Sequence, residues 1–127
     1  MANMNPVCWF EIYVDDMQRA SRFYETVLKI TLDELPSPEG FEGTMKTFQG
    51  NPEGMNANGA LVKHVMNKPS ANGTIVYFGC EDCLVEQSRV ESAGGKILMP
   101  KFSIGEYGFC PLIADTEGNT VGLFSMT

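Results

Sequence analysis

Positive charge is in short supply in this chain relative to negative. Its 127 residues hold 9 lysines and arginines against 16 aspartates and glutamates, a formal net charge of -7, and a single histidine. A surface built for nucleic-acid phosphates needs concentrated Lys and Arg, so no nucleic-acid partner is expected. The same shortage disfavours an anionic membrane surface. No apolar run approaches the roughly 20 residues that a bilayer-spanning helix requires. The start, Met1-Ala2-Asn3-Met4-Asn5-Pro6, has no basic stretch followed by an apolar one. No signal peptide is therefore expected, and the expected location is the cytoplasm. Neither G-x-x-x-x-G-K-[ST] nor G-x-G-x-x-G follows a strand, which removes the usual phosphate loops. The single histidine, His64, is unsuitably placed for a Ser/His/Asp nucleophile set.

The chain has four cysteines. Cys8, Cys80, Cys83 and Cys110 are expected as free thiols in a reducing compartment. Cys80 and Cys83 form a C-x-x-C step where a strand feeds a helix, a position that suits a redox pair or half a zinc site. Zinc would need two further ligands, and no second C-x-x-C or paired histidine supplies them. The favoured reading places both cysteines in the core.

What the chain does have is a repeat. Trp9-Phe10-Glu11-Ile12-Tyr13-Val14-Asp15-Asp16-Met17 and Ile75-Val76-Tyr77-Phe78-Gly79-Cys80-Glu81-Asp82-Cys83 are two apolar strands, each running through an acidic turn into a helix. They are offset by 66 residues, which signals a duplicated supersecondary unit. In the first strand, Val7 to Val14, Cys8, Phe10, Ile12 and Val14 share one face, and Trp9, Glu11 and Tyr13 share the other. Asp16 is placed to cap a helix whose Met17, Ala20, Tyr24, Val27 and Leu28 recur at helical spacing. That stripe covers the Phe10, Ile12, Val14 face and leaves Trp9, Glu11 and Tyr13 on the opposite one.

Further strands are expected near Ile30 to Leu35, Thr44 to Phe48 and Gly59 to Val65. They are separated by a turn with Pro36, Pro38 and Gly40 and by a loop from Gly50 to Gly59 that contains Asn51, Pro52, Gly54, Asn56 and Asn58. Met66 to Gly73 reads as a linker. The second unit repeats the order with strand Thr74 to Cys80, helix Cys83 to Ala93, and strands Lys96 to Pro100, Tyr107 to Ala114 and Thr120 to Ser125. Gly94-Gly95 supplies a left-handed helix stop. The predicted fold is α+β: a single domain over residues 1–127 of two tandem βαβββ modules, about 5–66 and 73–127. The modules form a curved mixed sheet around a central cup, with the helices on the outer face.

These segments resemble the vicinal oxygen chelate superfamily, which includes glyoxalase I, bleomycin-resistance proteins and extradiol dioxygenases. Val14-Asp15-Asp16-Met17-Gln18-Arg19-Ala20 with Phe23-Tyr24 carries the resemblance in the first module. Asp115-Thr116-Glu117-Gly118-Asn119-Thr120-Val121-Gly122-Leu123 carries it in the second, as the family's D-P-D/E-G-N turn with Thr116 where Pro is usual. Metal-dependent members place His or Glu once on each cup-lining strand. Carried over, these positions fall on Trp9, on Ile75 or Thr74, near Ala60 to Val62, and on Gly122. Only Thr74 offers even a weak side-chain donor. The resemblance therefore implies a member without the family's metal ligands, with no metal and no cofactor, and a homodimer.

Aligning Gly122 with Leu61 and Phe124 with Lys63 predicts a cup lined by Trp9, Glu11, Tyr13, Leu61, Lys63, Tyr77, Thr120 and Phe124. Tyr107 and Phe109 are placed to close over the opening. Glu11 is the candidate catalytic residue. A half-buried carboxylate has its charged form disfavoured, which suits a general base; a Glu11–Lys63 ion pair is the structural alternative. The aromatic lining suits a flat or apolar molecule. The leading expectation is a metal-independent protein that binds a small, partly aromatic molecule. The alternatives are a metal-free isomerase or lyase with Glu11 as base, and a metal-dependent lyase or dioxygenase with misregistered ligands such as Glu11 and His64.

Overall fold

Alternation along the first strand sets the architecture of the molecule. In a computed structural model that describes residues 5–36, 39–51 and 53–127, Ile12 and Val14 are buried in the core, with Phe10 packed against it, while Trp9 and Glu11 are exposed. Residues 1–4 of the start, Pro38 of the expected turn and Pro52 of the expected loop lie outside the described residues. The elements run β1 (Trp9–Tyr13), α1 (Met17–Leu28), β2 (Leu32–Leu35), β3 (Gly43–Phe48) and β4 (Asn58–His64). There follow β5 (Val76–Gly79), α2 (Cys83–Gln87), β6 (Lys96–Ser103), a 3-10 turn (Gly105–Tyr107), β7 (Phe109–Ala114) and β8 (Thr120–Phe124).

The strand order is β1-β4-β3-β2 in one sheet and β5-β8-β7-β6 in the other. The same topology occurs twice, as the repeat requires. β1 runs parallel to β4 and β5 parallel to β8, and the other pairs are antiparallel. The fold is thus α+β, two βαβββ units with mixed sheets.

Helix α1 starts where Asp16 Oδ1 accepts from Arg19 N (3.0 Å). It buries Ala20, Phe23, Tyr24 and Val27 against the β1–β4 face. Helix α2 is shorter than the expected Cys83 to Ala93. After Gln87 the chain tightens to i→i+3 bonds, Arg89 N to Glu86 O (3.0 Å) and Val90 N to Gln87 O (3.1 Å). Ser88 and Ser92 donate their hydroxyls back to Val85 O and Arg89 O, a competition that weakens regular α-helix. The turns end at Gly94, whose φ of 98° is left-handed.

The register corrects one expectation. Glu11 pairs with Ala60 in the first sheet, and Tyr77 pairs with Gly122 in the second. Gly122 therefore corresponds to Ala60, and not to Leu61. A slip of one residue flips every side chain to the other face. Leu61 sits opposite Ile12 in the buried core, and Lys63 shares its face. Neither lines the helix-free face that carries Glu11. β4 conceals this in sequence because Gly59, Ala60, Leu61 and Val62 are all buried and show no polar alternation.

Candidate functional site

On the helix-free side of β1 the pattern W-x-E-x-Y places three side chains in a row. Trp9 Nε1 donates to Glu11 Oε2 (3.2 Å), and Tyr13 Oη donates to Glu11 Oε1 (2.9 Å). Both donors are neutral, so the carboxylate is oriented without being neutralised. The expected Glu11–Lys63 pair is absent: among the described residues the ion pairs are Arg19–Glu117 and Lys101–Asp82. Glu11 is also exposed, and not half-buried as expected. The Tyr13 phenol is pushed up from its ordinary value, first by burial and then by its hydrogen bond to Glu11 and the charge there. At neutral pH it stays a donor.

Beside this row, a cleft of about 350 Å³ opens where β1 meets the second unit. Phe10, Ile12, Val76 and Val121 contribute apolar atoms to its lining, and Glu11, Tyr13 and Thr120 border it. The linker between the units adds Lys68, Ser70, Asn72 and Thr74 to the lining. Asn119 ties the parts together. Its side-chain amide donates to Tyr13 O (2.8 Å) and to Asp115 Oδ2 (2.9 Å), and its Oδ1 accepts from Ser70 N (2.9 Å). The acidic turn visible in sequence thus holds both walls of the cleft. Nothing in sequence placed the linker residues there, because linker and β1 are neighbours only through this tertiary contact.

Of the expected lining residues, Glu11, Tyr13 and Thr120 border the cleft. Trp9, 41% exposed, flanks it through Glu11. Tyr77, half exposed, lies across Gly122 on the helix-free face of the second sheet, and a Cβ at 122 would collide with its ring. Phe124 shares that face two residues on and packs close to Gly108. Tyr107 is 69% exposed on the 3-10 turn, and Phe109 packs against the buried core instead of closing the opening. A slightly larger groove, about 400 Å³, lies by Met17, Leu35 and Met45, with Glu34 and Lys46. Those two sit opposite each other in the strand register, and no aromatic side chain borders the groove. It offers less for a ligand to read.

The residues do not fit a metal at the positions the family uses. Ala60 has no donor, and the space a side chain at 122 would need is filled by Tyr77. The Trp9 indole donates to Glu11 and offers no lone pair. His64 accepts from Met66 N (3.0 Å) and packs on Phe41, ring centroids 4.8 Å apart. Among the described residues no three of His, Cys, Asp and Glu come together to hold an ion. The C-x-x-C step is equally unsuited to thiolate chemistry. Cys83 is fully buried, and burial, reinforced by Glu86, pushes the Cys80 thiol up to about 12.

Comparison with known proteins agrees with the topology. The family model described as the Glyoxalase/Bleomycin resistance protein/Dioxygenase superfamily matches residues 7–123. The protein CFP32 of Mycobacterium bovis and Mycobacterium tuberculosis, named as a proposed glyoxylase, is 28% identical over 119 residues. That match covers 91% of this chain and 44% of CFP32. Glyoxalase I from Zea mays superposes with a TM-score of 0.74 at 23% identity, over 94% of this chain and 46% of the maize chain. TnmS3, an antibiotic binding protein from Streptomyces sp. CB03234, gives a TM-score of 0.68 at 22% identity, over 98% of each chain. The chain thus spans less than half the length of CFP32 and of maize glyoxalase I, and nearly all of TnmS3.

Proposed function

We propose that this chain, which belongs to the glyoxalase/bleomycin resistance protein/dioxygenase superfamily, binds a small, partly aromatic molecule without using a metal. The observation that carries the reading is the cleft between the two units, with its mixed apolar and polar lining and the Trp9–Glu11–Tyr13 row beside it. An apolar concavity with a few convergent polar groups is what a small-molecule site requires. The likeness to TnmS3 over its whole length supports binding as a function this fold performs.

Trp9 is the only tryptophan of the chain, so its fluorescence reports on the site directly. Titration with a panel of aromatic small molecules is expected to quench it saturably, with the same affinity in the presence of a chelator. Tyr13→Ala is expected to weaken that binding several-fold. An absolute requirement for a divalent ion, or a ligand that binds only at the Met17–Met45 groove, would overturn the reading.

One observation favours a second function. Glu11 faces solvent with its carboxylate fixed by two donors, a geometry suited to a general base in a metal-free isomerase or lyase. That reading requires Glu11→Gln to abolish turnover of a bound substrate while the fold and the binding persist. Members of the superfamily often dimerise, and we propose the same of this protein, acting in the cytoplasm. Sedimentation at two concentrations tests the dimer.

A further inference from the structure

The cleft holds one acid and one base, and neither has a counter-charge. Glu11 receives only the neutral donors Trp9 Nε1 and Tyr13 Oη. Lys68, which lines the same cleft, has no hydrogen-bond or ion-pair partner among the described residues, and it makes no ion pair with Glu11. Phe10, Ile12, Val76 and Val121 line the same cleft. A ligand seated against both Glu11 and Lys68 takes water from both charges. Removing solvent from a charge without replacing it by a partner is costly. A neutral ligand leaves both charges uncompensated, and a singly charged ligand leaves one.

We propose that the ligand is a zwitterion: an apolar or aromatic body carrying an ammonium that meets Glu11 and a carboxylate that meets Lys68. The proposal rests on the ligand-binding reading above and names the chemical class of that ligand. One further feature agrees with the polarity assigned to the carboxylate end. Ser70, Asn72 and Thr74 line the cleft with Lys68 and offer neutral hydroxyl and amide donors to a carboxylate.

Isothermal titration on the full chain compares four probes that share one ring: phenylalanine, phenethylamine, hydrocinnamate and phenethyl alcohol. Phenylalanine is expected to bind about tenfold more tightly than either singly charged probe, the scale of one charge-assisted hydrogen bond. The alcohol is expected to bind weakest. Lys68→Met should reduce phenylalanine to the affinity of phenethylamine, and Glu11→Gln should reduce it to that of hydrocinnamate. Circular dichroism of both variants checks that the exposed substitutions leave the fold unchanged. The proposal is overturned if the alcohol binds as tightly as phenylalanine, or if both variants leave the order of affinities unchanged. It is also overturned, with the binding reading left standing, if the four probes fail while larger uncharged aromatics bind. If no aromatic molecule binds at all, the binding reading itself falls, and the zwitterion with it.

Discussion

Glycine at 122 and tyrosine at 77 act as one feature. Their backbones pair across β5 and β8, and the tyrosine ring occupies the space where the glycine has no side chain. An aromatic ring lying over a strand glycine shields a backbone that would otherwise be open to water. Gly122→Ala is therefore expected to push the ring aside and cost about 1–3 kcal/mol, the usual scale of overpacking. In the Tyr77→Ala background the same change should cost far less, so a double-mutant cycle by urea unfolding reads the coupling directly. Equal costs in both backgrounds would show that the ring has room to move.

The turn from Asp115 to Asn119 joins elements that are far apart in sequence. Asp115, buried, accepts from Tyr24 Oη (2.7 Å), from the backbone N–H groups of Glu117 (2.8 Å) and Asn119 (2.9 Å), and from the Asn119 amide. Glu117 reaches to the start of α1, where it accepts from the backbone N–H groups of Asp15 and Asp16 (both 2.8 Å) and from the Arg19 guanidinium (2.7 and 2.9 Å). Thr116, standing where the family usually has Pro, adds a hydroxyl donor to Glu117 Oε2 (2.9 Å) that proline could not supply. Burial alone would push the Glu117 carboxyl up. The hydrogen bonds from Arg19, Asp16, Thr116 and Asp15 outweigh it and hold the group at about 2, below its ordinary 4.5. A carboxyl depressed in the folded state contributes stability that is full above its unfolded value and is lost as pH falls through the folded one. Stability is thus expected to decline between about pH 4.5 and pH 2. Glu117→Gln should cost about 2 kcal/mol at neutral pH and flatten that acid limb. Chemical denaturation from pH 7 downward measures both, and an unchanged limb would mean that other carboxylates govern acid unfolding.

Across the whole molecule, one aromatic cluster spans the two units. Phe78 of the second packs against Phe10, Tyr24 and Phe48 of the first, with ring centroids 6.0, 5.8 and 5.5 Å apart. Phe10, Tyr24 and Phe48 already pack on one another within the first unit, and Phe78 adds ring contacts from the second that contribute more than area alone. Phe78→Ala is expected to cost about 3 kcal/mol, in the range for deleting a core phenylalanine. Wild-type unfolding should be a single transition, coincident by far-UV circular dichroism and by Trp9 fluorescence. Two separated transitions would show that the units fold independently and that the cluster does not couple them.

What the sequence determined by itself was whatever depends on local periodicity and on the repeat. Phe10, Ile12 and Val14 on one face and Trp9, Glu11 and Tyr13 on the other follow from the period of a strand. The Asp16 cap, the Ala20–Val27 stripe, the left-handed stop at Gly94 and the duplicated topology follow from equally short-range rules. Its power ended at β4, where an uninterrupted buried run carries no alternation and the register of Leu61 and Lys63 was one residue off. Only the tertiary structure decided that register, because it is set by pairing with β1 and β3. It alone also decided the cleft, whose walls meet through Asn119. Glu11 and Lys68 share that cleft because Asn119 bonds both Tyr13 of β1 and Ser70 of the linker, segments more than fifty residues apart that no local pattern brings together.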